Sequence, residues 1–119
     1  KGKFGQIWQY TPSLDEGTAD EEKNFGELVL YAEATSKDML ERADNLTVAP
    51  WGDVIATEDG PEVDHLVGIT PKGEYYKLAR NMLNTSELAG AVFSPDGSTL
   101  FVNIQSPGIT FAITGPWKS

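Results

Sequence analysis

The chain has 119 residues, enough for one domain, with 39% hydrophobic and 23% charged side chains, a globular balance and not a disordered one. Eighteen acidic residues against nine basic give a net charge of −9, and no basic run occurs; this argues against a nucleic-acid partner, because phosphate backbones demand Lys/Arg patches. Cysteine is absent, which removes disulfide frameworks, thiolate metal sites and cysteine nucleophiles, and no apolar run is long enough to cross a membrane as a helix.

Lys1-Gly2-Lys3 leads directly into strand-like sequence without an initiator Met. The expectation is a piece or processed product of a longer chain, with any targeting segment outside it. Phe4 to Thr11 is strand-like, rich in aromatic and β-branched residues. Ser13 to Asn24 is acidic and polar and reads as an exposed loop of solvated charge. Phe25 to Glu33 is the next strand, and Ala34 to Ala43 a connector with a helical turn at Met39-Leu40. A central hairpin spans Leu46 to Ala49 and Asp53 to Thr57. A second joins His65–Thr70 to Glu74–Leu78. After the connector Asn81 to Glu87, Ala89–Ser94 pairs with Thr99–Asn103, and Ile109–Ile113 is a last strand.

Three turns share one pattern: Ala49-Pro50-Trp51-Gly52, Thr70-Pro71-Lys72-Gly73 and Ser94-Pro95-Asp96-Gly97. Proline presets φ and glycine supplies the positive φ such turns need. TVAPWGDVIATED is laid out like AVFSPDGSTLFVN, with Pro50 and Pro95 at equivalent places. A period of roughly 40–45 residues with four short strands per unit is the signature of a β-propeller blade. The expected fold is therefore all-β, built of antiparallel four-stranded blades: one unit over 1–119, about two blades of a larger propeller. The outer strands of one blade would span 4–34, a full blade 45–81 and a three-stranded last blade 88–117. So few blades cannot close a ring of roughly 4–8. A small antiparallel sandwich is the other architecture the pattern allows.

The candidate chemistry sits at strand ends. Asp44-Asn45 opens the central hairpin and Glu58-Asp59 closes it. Carboxylate and amide oxygens on an apolar scaffold make hard-cation sites, and they also make ordinary turns. Alternation sets Val54, Ala56 and Glu58 on one face and Ile55, Thr57 and Asp59 on the other, so only one carboxylate can serve a shared site. Because Asp59-Gly60-Pro61 makes a good turn, Glu58 is the expected metal ligand, with Asp44 and Asn45 as second candidates. Glu87, just before Leu88-Ala89-Gly90-Ala91, reads as a calcium ligand or as a plain connector residue. Arg80 could clamp a phosphate or simply face water on an outer strand. Asn103 and Gln105 could orient ligands or substrate, or brace loops. His65, the single histidine, stands beside Asp64 without a Gly-x-Ser-x-Gly nucleophile, and reads as a strand start. Trp8, Trp51 and Trp117 read as packing between blades.

DNLTVAPWGDVIATEDG, HLVGITPKGEYYKLARN and, most specifically, SELAGAVFSPDGSTLFVNIQSPGITFAITGPW together resemble the C-terminal region of PhoX-type alkaline phosphatases. The resemblance implies a phosphomonoesterase, periplasmic or secreted and exported folded. It implies a six-bladed propeller with Ca2+ and Fe3+ at its central channel, and it favours Glu87 as a ligand. Partners would be a small phosphomonoester substrate and the rest of the propeller, or a second copy through self-association. The chain supplies only part of such a ring, so catalysis by these residues alone is not expected. A non-catalytic propeller piece that binds calcium for structure, and a metal-free sandwich, are the competing readings.

Overall fold

The computed structural model describes residues 4–117, so the expectation for Lys1-Gly2-Lys3 lies outside the described residues. Nine strands follow in order: β1 (Gln6–Thr11), β2 (Glu27–Glu33), β3 (Ala43–Val48), β4 (Val54–Glu58), β5 (His65–Ile69), β6 (Tyr75–Arg80), β7 (Leu88–Phe93), β8 (Thr99–Ile104) and β9 (Ile109–Thr114). They form three antiparallel sheets, ordered β1-β2, β3-β4-β5-β6 and β7-β8-β9. Each strand pairs with its neighbour in sequence, as short turns between strands dictate. A single 3₁₀ turn, Glu21–Lys23, interrupts the acidic loop, whose carboxylates stay exposed apart from the half-buried Asp15. The helical turn expected at Met39-Leu40 is a hydrogen-bonded turn on Ser36 O (3.2 and 3.5 Å), and it serves to bury Leu40.

The three Pro-x-Gly turns close alike. Gly52 N–H donates to Ala49 O (2.9 Å), Gly73 N–H to Thr70 O (2.8 Å) and Gly97 N–H to Ser94 O (2.8 Å). All three glycines have positive φ, of +94°, +80° and +71°. Two of the turns touch: a Cβ on Gly97 would lie 2.7 Å from Pro50 Cγ. The 45-residue repeat is thus also a contact between units. Strands β3 and β7 each carry a register shift near their start, between Ala43 and Leu46 and between Ala89 and Val92. Where these irregularities meet, Asn45 Oδ1 accepts a hydrogen bond from Gly90 N–H.

The middle sheet is buried on both faces. Val54, Ala56, Val67 and Ile69 pack toward β1-β2 against Ile7, Ala32, Ala34 and Leu40. Ile55 and Leu66 pack the other way, against Leu88, Ala91, Leu100, Val102 and Ile104. This is why β4 reads as a continuous apolar run and not as an alternating one. Three sheets stacked in a row correct the two-layer sandwich alternative. Trp51 stacks on Trp117 (5.6 Å between centroids), and Phe93 meets both edge-on, locking the second and third sheets together at the turn end. Trp8 departs from its expectation: it is half exposed and packs no sheet pair.

The row is not self-contained. Its accessible surface, 7590 Å², exceeds the roughly 6300 Å² expected of a compact monomer of this mass. Many large apolar side chains are exposed. Trp8, Tyr10, Leu28 and Leu30 stand out on β1-β2, Leu46, Val48 and Val92 on the first strands of the other sheets, and Met82 and Leu83 on the connector to β7.

Candidate functional site

Alternation along β4 decides which carboxylate goes where. Ile55 and Thr57 face the third sheet, and Asp59 continues that side; Val54 and Ala56 face the first sheet, and Glu58 continues theirs. The two neighbouring acids therefore end in different environments.

Glu58 is buried, with a side chain 3% exposed, and its oxygens are taken by protein donors. Oε1 accepts from Glu41 N–H (2.9 Å) and Lys77 Nζ (2.7 Å), and Oε2 from His65 N–H (2.9 Å) and the His65 Nδ1 (2.9 Å). A carboxylate so satisfied braces the ends of β4, β5 and β6. The expectation of Glu58 as a metal ligand thus meets a carboxylate whose two oxygens already hold four protein donors. His65 does start β5, and it also completes this network.

Asp59 joins a different group. Its backbone N–H donates to Arg42 O (3.1 Å), where Arg42 adopts a positive φ of 50°. This holds the end of β4 beside the start of β3. Gln105 N–H donates to Glu87 O (3.1 Å), which likewise joins the end of β8 to the start of β7. At this edge burial pushes the Glu87 carboxyl up from its ordinary value, and so do the charge and hydrogen-bonding oxygen of Asp59 and the charge of Asp44. A hydrogen bond from the Gln105 side chain works in the opposite direction. Asp44 and Asp59 thus both act on Glu87, with Gln105 alongside, at four strand ends of two adjacent sheets.

The remaining expected residues separate. Asn45 belongs to the frame: its N–H donates to Thr57 Oγ1 (3.0 Å), and its side chain holds Gly90. Asn103 braces its own sheet, donating to Ala89 O (3.1 Å) and accepting from Thr110 Oγ1 (2.6 Å). Arg80 is exposed at the end of β6 and borders an apolar groove of about 430 Å³ between the second and third sheets. Asp59, read from the sequence as a turn residue, lies near enough to Glu87 to act on its carboxyl. Its shared face with Ile55, directed at the strand that Glu87 precedes, was the available signal.

Chemically the group offers carboxylate and amide oxygens, the donors that Ca2+ and Fe3+ accept. A carboxyl such as Glu87, raised by burial and by neighbouring carboxylates, gains from a proton or a cation. Among the described residues no three such side chains are drawn together tightly enough to hold a metal ion as they stand. The oxygens fit the ions in kind, and further ligands would have to complete the shell.

The family model described as alkaline phosphatase PhoX matches residues 1–108 of the 119. No curated protein and no solved structure matches the chain. With the match running from the first residue through β8 and so including Asp44, Asp59, Glu87 and Gln105, the chain belongs to the alkaline phosphatase PhoX family.

Proposed function

We propose that the chain is one part of a metal-dependent alkaline phosphatase hydrolysing phosphate monoesters, and that Asp44, Asp59 and Glu87, with Gln105, are its share of the cation-holding centre. The observation that carries this reading is the family match over residues 1–108, and the action of Asp44 and Asp59 on Glu87 at the meeting point of two sheets locates the centre. The ions would be Ca2+ and Fe3+, and the protein would work in the periplasm or outside the cell. Two features support a propeller in which β3 and β7 line the channel and further blades come from elsewhere in the chain or from self-association. These are the stacking of meander sheets at a 45-residue repeat and the exposed apolar strands at their margins.

When bound, such cations neutralise phosphoryl oxygens and lower the pKa of an oxygen nucleophile. This chain's own residues then have definite tasks. Asp44, Asp59 and Glu87 hold the positive charge, and Gln105 orients Glu87 through its amide. The Asn45–Gly90 hydrogen bond fixes β3 against β7, and so fixes the spacing between Asp44 and Glu87. Glu58 and its four donors keep the end of β4 rigid, so that Asp59 stays turned toward Glu87.

The test is hydrolysis of a chromogenic phosphate monoester by the intact protein, before and after chelation, with Glu87→Gln alongside. Activity should vanish on chelation, return with added Ca2+ and Fe3+, and fall at least tenfold in the variant. Hydrolysis that ignores the chelator sinks the proposal.

A further inference from the structure

Asp64 lies outside the group just described. It closes the loop between β4 and β5 and is 1% exposed. Its Oδ1 accepts Gly60 N–H at 2.8 Å. Its Oδ2 is buried and has no hydrogen-bond partner among the described residues. Buried polar oxygens are almost always satisfied, because an unpaired one forfeits its hydration for nothing. Such an oxygen is satisfied by a proton, a water or a cation.

Its surroundings say what kind of thing. The carboxylates of Glu58, Asp59 and Glu41 all act on Asp64. Glu58 has its countercharge in Lys77. Asp64 and Glu41 form no ion pair with a described residue. The two face one another across Gly60. A Cβ on that glycine would sit 3.0 Å from Glu41 Oε2 and 3.1 Å from Asp64 Oδ1, so glycine is what lets both oxygens approach the loop. Glu41 also lines an open polar recess of about 220 Å³, shared with Asp38, Glu62 and His65 and with Lys37 and Lys77, which are paired with Glu62 and Glu58.

We infer that Asp64 and Glu41 form a divalent-cation site at the β4–β5 loop. The two carboxylates are completed by loop carbonyls and water, the ligand mix of Ca2+-type hard cations. Two carboxylates suffice for such a site, so a third acidic side chain is not required. The site does not depend on the phosphatase reading: its ion ties the loop to the connector before β3 and answers the charge of Asp64.

The experiment is a calcium titration of the intact protein by calorimetry, paired with thermal unfolding with and without calcium. Wild type, Asp64→Asn, Glu41→Gln and Glu87→Gln are compared. Asp64→Asn and Glu41→Gln should each weaken one binding event at least tenfold and shrink the calcium-induced rise in Tm, while Glu87→Gln retains that event. The inference is overturned if Asp64→Asn is more stable than wild type without calcium and keeps the full calcium response, for then a proton satisfies Oδ2. Should Asp64→Asn not fold, an unchanged calcium response in Glu41→Gln, whose side chain is only partly buried, overturns it equally.

Discussion

Replacing Glu58 with alanine isolates the buried network from the metal chemistry. The substitution removes the acceptor of four donors: the backbone N–H groups of Glu41 and His65, the His65 ring and the Lys77 ammonium. Lys77, with a side chain 33% exposed, can turn to water, so its ion pair contributes at most about 1 kcal/mol. The two backbone donors are held beside a position only 2% exposed and have no alternative acceptor in the strand ladder. Each costs about 1–3 kcal/mol when orphaned. The expected loss is therefore about 3–5 kcal/mol, in line with breaking a buried charged group from its partners. Urea unfolding followed by tryptophan fluorescence measures it as a lower midpoint at unchanged slope. Glu58→Gln, which keeps the volume and one acceptor oxygen, should lose about half as much. A loss under 1 kcal/mol in Glu58→Ala would refute the network as a brace. So would unchanged stability accompanied by the loss of one bound ion, which would return Glu58 to the ligands.

Three further outcomes follow from the geometry. Glu87 has a raised carboxyl, so the folded state holds its proton more readily: stability is fullest below the ordinary value of 4.5 and falls as pH rises through the folded value. With chelator present, Glu87→Gln should thus unfold at a higher temperature than wild type at pH 7, and the gap should close near pH 4; a variant less stable at pH 7 contradicts this. Asp96 is the opposite case, held down to about 2 by the Ser94 hydroxyl, then by the Ser98 N–H and hydroxyl. The advantage of wild type over Asp96→Asn should be complete above 3.8 and disappear as pH falls through about 2, read as a difference in thermal midpoints. Gly97→Ala meets Pro50 Cγ at 2.7 Å and must hold a φ of +71°, so it should cost about 1–3 kcal/mol in urea titration; a neutral result would mean the two turns do not touch.

All nine strands were legible in the sequence because turn chemistry and apolar runs agree locally, as at Pro50-Trp51-Gly52 between Val48 and Val54. The repeat was legible for the same reason, since Pro50 and Pro95 open identical turns. The site was legible only as a set of oxygens. Glu58 and Asp59 are adjacent, and choosing between them requires knowing which sheet lies over which face of β4. Local turn preference reads Asp59 as structural, while the tertiary stack puts it beside Glu87 and gives Glu58 four protein donors. The partners of Glu58 come from Glu41, His65 and Lys77, three separate segments with no motif between them. Asn103 was ambiguous because a strand amide looks the same whether it faces a ligand or the neighbouring strand's carbonyl.

The central claim is that Asp59, and not its neighbour Glu58, faces the ions of the phosphatase. The direct measurement is metal content and phosphomonoesterase activity of Asp59→Asn and Glu58→Gln in the intact protein, each at a temperature where it is folded. Asp59→Asn should retain its fold and lose bound metal together with at least tenfold in activity, while Glu58→Gln keeps its metal and is merely less stable. Full metal and activity in Asp59→Asn, with metal lost from Glu58→Gln, would contradict the account.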